Sequence, residues 1–273
     1  MDALYENLLT KIWVPLQTWK LHQPPYTLTQ LTDEIYKYYH GEDQAAPAPT
    51  IADGAYDACV DELIMKVQSL GPDCYKKESH DHVFTNPKQA ITSSEEWRIY
   101  LHAKAKDVCP IGHYIVNILF TRPEVLGFKV PRARAEADNF SDTMVIYVES
   151  QTVCDNLSQV IRASPLTAAL LSGQSVPEMT RRTLDGVSYG QSPKDYNLSF
   201  GKIRSAAIAK GLELYWNQGG TDPNDVTWSR TFLSHCVEIA IRAIGLDPNN
   251  AYKNDGAQPS KINLSNFYVK KLG

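Results

Sequence analysis

The sequence predicts an α+β fold, with a mixed, mainly antiparallel sheet flanked by helices. Three observations carry this. Apolar residues recur at helical spacing near the start, with Leu4, Leu8, Leu9 and Ile12 in one group and Leu31, Ile35 and Tyr38 in another. The texture changes at Trp97, and Thr143-Met144-Val145-Ile146-Tyr147-Val148 is a β-branched and aromatic run bounded by polar residues. Helical patterns return after Ser199. Helices first, then a mixed core, then helices again suit an antiparallel sheet.

Taken in order, residues 1–20 read as an amphipathic helix interrupted near Pro15, and 28–39 as a second helix. Residues 41–49 (GEDQAAPAP) read as a flexible linker. A third helix is expected over 52–70, and loop over 71–94. Arg98 to Ala103 alternates as a strand does. A helix is expected over 112–120, a short strand over 125–130, a strand over 143–148, and helices over 154–161 and from Pro165. Residues 177–197 read as a long irregular stretch, rich in Gly, Ser, Asp and Tyr, and such stretches are usually functional. Ser199 is placed to cap a helix running to about Trp216. The last helix spans 228–244 and is stopped by Gly245 and Pro248. The expected organisation is one domain over 1–273, with a helical N-terminal region over 1–95 and an α+β core over 96–250 that carries the site.

A chain of 273 residues is long enough to bury its own core. A net charge of -4 argues against a dedicated nucleic-acid binder. The 5 cysteines are scattered, with no C-x-x-C pair, so reduced thiols and a cytoplasmic location are expected. The first 20 residues carry Asp2, Glu6 and Lys11 and do not read as a signal peptide. No apolar run approaches the roughly 20 residues that span a bilayer.

The common nucleotide, zinc-protease and serine-hydrolase motifs are absent. His80-Asp81-His82 lacks a third ligand at useful spacing, so no metal and no cofactor are expected. The cations are more informative. Arg98 precedes Tyr100 and His102 on one strand, and Lys129 sits between Phe128 and Val130 on another. Arg132, Arg134, Arg181 and Arg182 follow, and Lys202 and Arg204 open the helix after Ser199. A lysine in an apolar strand pays a burial cost unless it is partnered or at an edge. A cation at a helix start opposes the macrodipole, and an anion bound there would answer it.

Three segments resemble the HopA family of type III effectors and its relatives, the phosphoserine/phosphothreonine lyases of class V lanthipeptide and thioamitide biosynthesis. They are Arg98-Ile99-Tyr100-Leu101-His102; Phe128-Lys129-Val130 with Asp142 to Val148; and Met179-Thr180 to Gly190 with Ser199-Phe200-Gly201-Lys202-Ile203-Arg204. The Ser-Phe-Gly-x-x-Arg string is the most specific. The resemblance implies a fold like the bacterial phosphothreonine lyases. It also implies elimination of phosphate from a phosphorylated precursor peptide, leaving dehydroalanine or dehydrobutyrine, with a partner kinase and no membrane or nucleic acid.

In that chemistry Lys129 is the base, freed by burial and neighbouring arginines that lower its pKa. Arg98, Arg132, Arg134, Arg181, Lys202 and Arg204 hold the phosphate. The phosphothreonine lyases carry Lys-x-His on the first strand, where this chain has Arg98-x-Tyr100. Tyr100 or His102 must then act as the acid, or the site does not react. The alternative is a non-catalytic, effector-like or scaffold protein that binds a kinase, a peptide or a host protein.

Overall fold

The computed structural model describes residues 3–21, 26–40, 48–89, 96–192, 199–217 and 230–254. They form two compact units. The first contains Met1–Asp43, Glu178–Thr180 and Ser192–Gly273; the second contains Gln44–Pro177 and Arg181–Gln191.

The first unit is helical. It contains α1 (Ala3–Leu21), α2 (Leu28–His40), α8 (Phe200–Asn217) and α9 (Arg230–Ala243). Helix α1 runs through Pro15 rather than breaking there. Its Leu8, Leu9 and Ile12 are fully buried, as the apolar spacing required; Tyr5 is buried as well, and Leu4 only in part. Helix α8 is buried on most of its faces, and two glycines make this possible. A side chain at Gly201 would meet the Tyr39 ring at 2.2 Å, and one at Gly211 would meet the Val237 backbone at 2.5 Å. Helices α2 and α9 therefore approach α8 more closely than any residue with a Cβ permits.

The second unit is a seven-stranded antiparallel sheet with helices. Its strands are β1 (Tyr75–Lys77), β2 (Asp81–Thr85), β3 (Trp97–Leu101), β4 (Val125–Pro131), β5 (Met144–Val148), β6 (Arg181–Leu184) and β7 (Val187–Gln191), in the order β1-β2-β4-β5-β3-β7-β6. Its helices are α3 (Asp53–Gln68), α4 (Val108–Tyr114), α5 (Arg134–Asn139), α6 (Gln151–Ala163) and α7 (Pro165–Leu171). The α+β class and the antiparallel sheet are as the sequence predicts. The helix expected over 112–120 is α4 continued by a π turn over Ile115–Leu119.

Several expectations change. Residues 71–94 are not all loop, since they supply β1 and β2, so the N-terminal region is not purely helical. Within the stretch expected to be irregular, residues 181–191 form the β6–β7 hairpin, turning at Asp185-Gly186, where Gly186 has φ +63, and residues 193–197 lie outside the described residues. Cys59 and Cys109 form a disulfide between α3 and α4, with 5.8 Å between their Cα atoms, which corrects the expectation that all five cysteines are reduced. Cys74, Cys154 and Cys236 are free and buried. The linker over 41–49 lies mostly outside the described residues.

Alternation along each strand gives the sheet two unlike faces. One is apolar: Phe84 stacks on Phe128 at 4.6 Å, and Phe128 meets Phe120 edge-on at 5.4 Å. Ile99, Ile146 and Val130 are fully buried on the same face. The other face carries the charges. A bulge in β4 decides which residues go where. Val125 pairs with Val148, yet Gly127 pairs with the adjacent Tyr147, so two steps on β4 match one step on β5.

Candidate functional site

The charged face is assembled by register. In one row, Val83, Lys129, Val145, Tyr100, Ser188 and Arg182 pair across β2, β4, β5, β3, β7 and β6. In the next row stand Gly127, Tyr147, Arg98 and Gly190. Of the residues singled out in sequence, Lys129, Arg98 and Tyr100 thus share one face of one sheet, while His102 lies just past the end of β3, which closes at Leu101. Tyr147 joins them although the sequence reading took it only as a strand residue. The Arg98 guanidinium lies 5.3 Å from the centre of the Tyr147 ring and donates to Glu96 at 3.2 Å.

Lys129 is half-buried, and its Nζ donates to Asp81 Oδ2 at 2.6 Å. Burial pulls the ammonium pKa down, but the Tyr147 phenol, the Asp81 carboxylate and the hydrogen bond between Asp81 and Lys129 push it above its ordinary value. The expectation of a lowered pKa is therefore corrected: Asp81, placed on β2 by a strand the sequence did not reveal, holds the lysine protonated. Tyr147 itself is pushed up by burial, against the pull of Arg98 and Lys129, and keeps its proton at neutral pH.

His102 is buried, and its pKa is pushed down to about 4 by burial and then by the Lys104 ammonium. Its contacts fit the neutral ring. Nδ1 lies 3.2 Å from the Ser175 carbonyl and 3.1 Å from Ser175 Oγ, while Nε2 lies 3.3 Å from Lys104 Nζ, which can donate to it. A neutral imidazole so held is a weak proton donor, which removes most of its appeal as the acid. Stability should report this directly. The unfolded chain takes up the proton near the ordinary ~6.5, the folded chain only near 4, so acidification between those values favours unfolding. A loss of roughly 2–3 kcal/mol is expected across that window. It should appear in urea midpoints measured against pH and be absent in His102→Gln.

The remaining candidates are placed elsewhere. Arg132 donates to the carbonyls of Glu78 (3.3 Å) and Ser79 (3.0 Å), fastening the turn between β1 and β2. Arg134 pairs with Asp53 at 2.5 Å and with buried Asp138 at 3.0 Å. Arg181 pairs in register with Tyr189, so it projects on the apolar side of the sheet, over the Tyr189 ring at 5.5 Å.

Lys202 and Arg204 belong to the helical unit. Lys202 pairs with Asp33, and its backbone N–H donates to Ser199 Oγ at 3.3 Å, the cap that the sequence predicts. Arg204 is fully buried, donating to the carbonyls of Ala251 (2.5 Å), Phe200 (3.3 Å) and Lys253 (3.3 Å). The Ser-Phe-Gly-x-x-Arg string is thus architectural here: a helix cap, a glycine under Tyr39 and a buried arginine. Among the described residues there is no His, Cys, Asp and Glu cluster that could hold a metal. No described helix is long and apolar enough to cross a membrane.

Residues 78–253, more than half of the chain, match the profile of the HopA1 effector protein family. The chain belongs to that family. Two solved structures are similar to it. The effector protein from Pseudomonas syringae pv. tomato strain DC3000 is 12% identical with a TM-score of 0.64, covering 93% of this chain and 100% of that one. The effector protein from Pseudomonas syringae pv. syringae strain 61 is 15% identical with a TM-score of 0.62, covering 90% and 98% respectively. At these identities the likeness shows the HopA1 fold alone. No curated protein matches the chain.

Proposed function

We propose that the charged sheet face binds a phosphorylated serine or threonine of a cytoplasmic precursor peptide, the product of a partner kinase, and eliminates its phosphate. The observation that carries this is the placement of Lys129, Tyr147, Arg98 and Tyr100 in two adjacent rows of one sheet face. Elimination removes the Cα proton to a base. Its electron pair becomes the Cα=Cβ bond, and phosphate departs with the electrons of the Cβ–O bond, taking a proton from an acid.

Arg98 supplies a guanidinium for the departing oxygens. Lys129 supplies the base once its proton is lost, with Asp81 at 2.6 Å as the neighbouring acceptor. Tyr147 keeps its proton, stands in the row of Arg98 and interacts with Lys129, which suits it as the acid beside Tyr100. Arg132, Arg134 and Arg204 have protein partners and are not given a phosphate-holding role.

Incubation with a phosphothreonine peptide tests this. Phosphate should be released, and the product should weigh about 18 Da less than the unphosphorylated peptide, one water's mass, as elimination requires. The rate should climb with pH, because the reactive amine is the minor form of a lysine whose pKa is raised. Asp81→Asn removes the nearest anion, so the climb should begin at lower pH. An unchanged profile would count against Lys129 as the base.

A second reading is binding without turnover, favoured by the protonated state of Lys129 and the neutral state of His102. It predicts phosphopeptide capture with no change in peptide mass.

A further inference from the structure

Among the described residues, β6 ends the sheet, so one side of its backbone has no strand neighbour. Beside it lies a groove of about 530 Å³ between α6 and β6, lined by Asp155, Ser158, Gln159, Arg162, Arg181, Arg182, Thr183 and Leu184. Three arginines and one aspartate line it, on a chain whose net charge is -4, and Arg182 also pairs with Asp185. That aspartate is engaged: Tyr189 donates to Asp155 Oδ1 at 2.7 Å. Arg162 and Arg182 are exposed at the groove. Ser158 is buried, and its hydroxyl has no hydrogen-bond partner among the described residues.

An open strand edge offers main-chain donors and acceptors to an extended chain, and side chains then alternate between the two faces. Here the register sends Arg181 to one face and Arg182 to the other. An added strand would therefore meet a cation on either side. Helix α6 supplies Arg162 on the Arg181 side.

We infer that the groove between α6 and β6 docks an extended acidic peptide segment, which adds to β6 as a further strand. The interaction combines main-chain pairing at the edge with ion pairs from Glu or Asp side chains to Arg162, Arg181 and Arg182. It is independent of the chemistry at Lys129.

A short fluorescein-labelled peptide alternating Glu with Val tests it by anisotropy, with the intact chain. Replacing each Glu with Gln, or using the Arg162→Gln/Arg182→Gln double variant, should weaken binding about tenfold, the loss of roughly 1.4 kcal/mol. The variant should keep its circular dichroism spectrum. N-methylation of alternate peptide bonds should abolish binding in one phase of the alternation and spare the other. Lys129→Ala should leave the affinity unchanged. Equal affinity for the Gln peptide, an unaffected double variant, or indifference to N-methylation in both phases overturns the proposal. So does saturation of the groove by inorganic phosphate with no peptide binding.

Discussion

Replacing Lys129 with alanine is expected to abolish phosphate elimination, by at least the ~10²–10⁴-fold typical of a lost acid–base group. Unfolding would not explain such a loss. The Lys129–Asp81 pair is partly buried, and its loss is expected to cost roughly 1–3 kcal/mol, too little to unfold a typical domain. Lys129→Arg separates the two duties of the side chain. It keeps a cation for phosphate but provides no base, so phosphopeptide binding should persist while turnover disappears. Phosphate release at the wild-type rate from Lys129→Ala, followed by a malachite-green assay, would remove this lysine from the mechanism. Retained binding with no turnover in the wild type would favour the effector-like reading instead.

The second large effect concerns the helical unit. Arg204→Met should destabilise the protein by about 3–5 kcal/mol, because buried acceptors left without donors cost roughly 1–3 kcal/mol each. The carbonyls of Ala251, Phe200 and Lys253 all lose a guanidinium donor. The guanidinium also lies 3.5 Å from the Phe200 ring centre, a contact that methionine replaces only in part. Urea denaturation measures this. A loss under about 1 kcal/mol would show that water can take over those carbonyls. The two cations differ in kind: Lys129 is expected to matter for rate with a smaller effect on stability, and Arg204 for stability.

Much of the fold was legible, and the physics shows why. Strand β5 is β-branched and aromatic after Met144, and α2 buries Leu28, Leu31, Ile35 and Tyr39 along one stripe, so local pattern sufficed. Strand β1 is three residues long, with exposed Lys76 and Lys77, at an end of the sheet, so it has no pattern to read. The β6–β7 hairpin left one usable signal, the Asp185-Gly186 pair, a recognised turn dipeptide. The cationic grouping was legible only in part. Arg98 and Lys129 meet through β5, which lies between their strands, and that pairing is long-range.

Three things about the site were hidden. Asp81 lies in a stretch that reads as loop, so the ion pair that keeps Lys129 protonated has no local signal. Tyr147 looked like one more apolar strand position. Arg181 reads as a companion of Arg98, but register sends it through the sheet to the other side. The disulfide joins cysteines with a sequence separation of 50, and no spacing rule anticipates it.

The bulge in β4 acts as a phase shift. Without it, Val125, Gly127 and Lys129 would share one face, and placing Val125 in the apolar layer would carry the ammonium there too. Leu126 is the half-cycle that reverses the sign. A length change before Val125 is absorbed upstream and leaves the lysine where it is. A single residue gained or lost between Gly127 and Lys129 inverts it. The chemistry proposed for this face therefore rests on the parity of a count along one strand as much as on the identity of the residue counted.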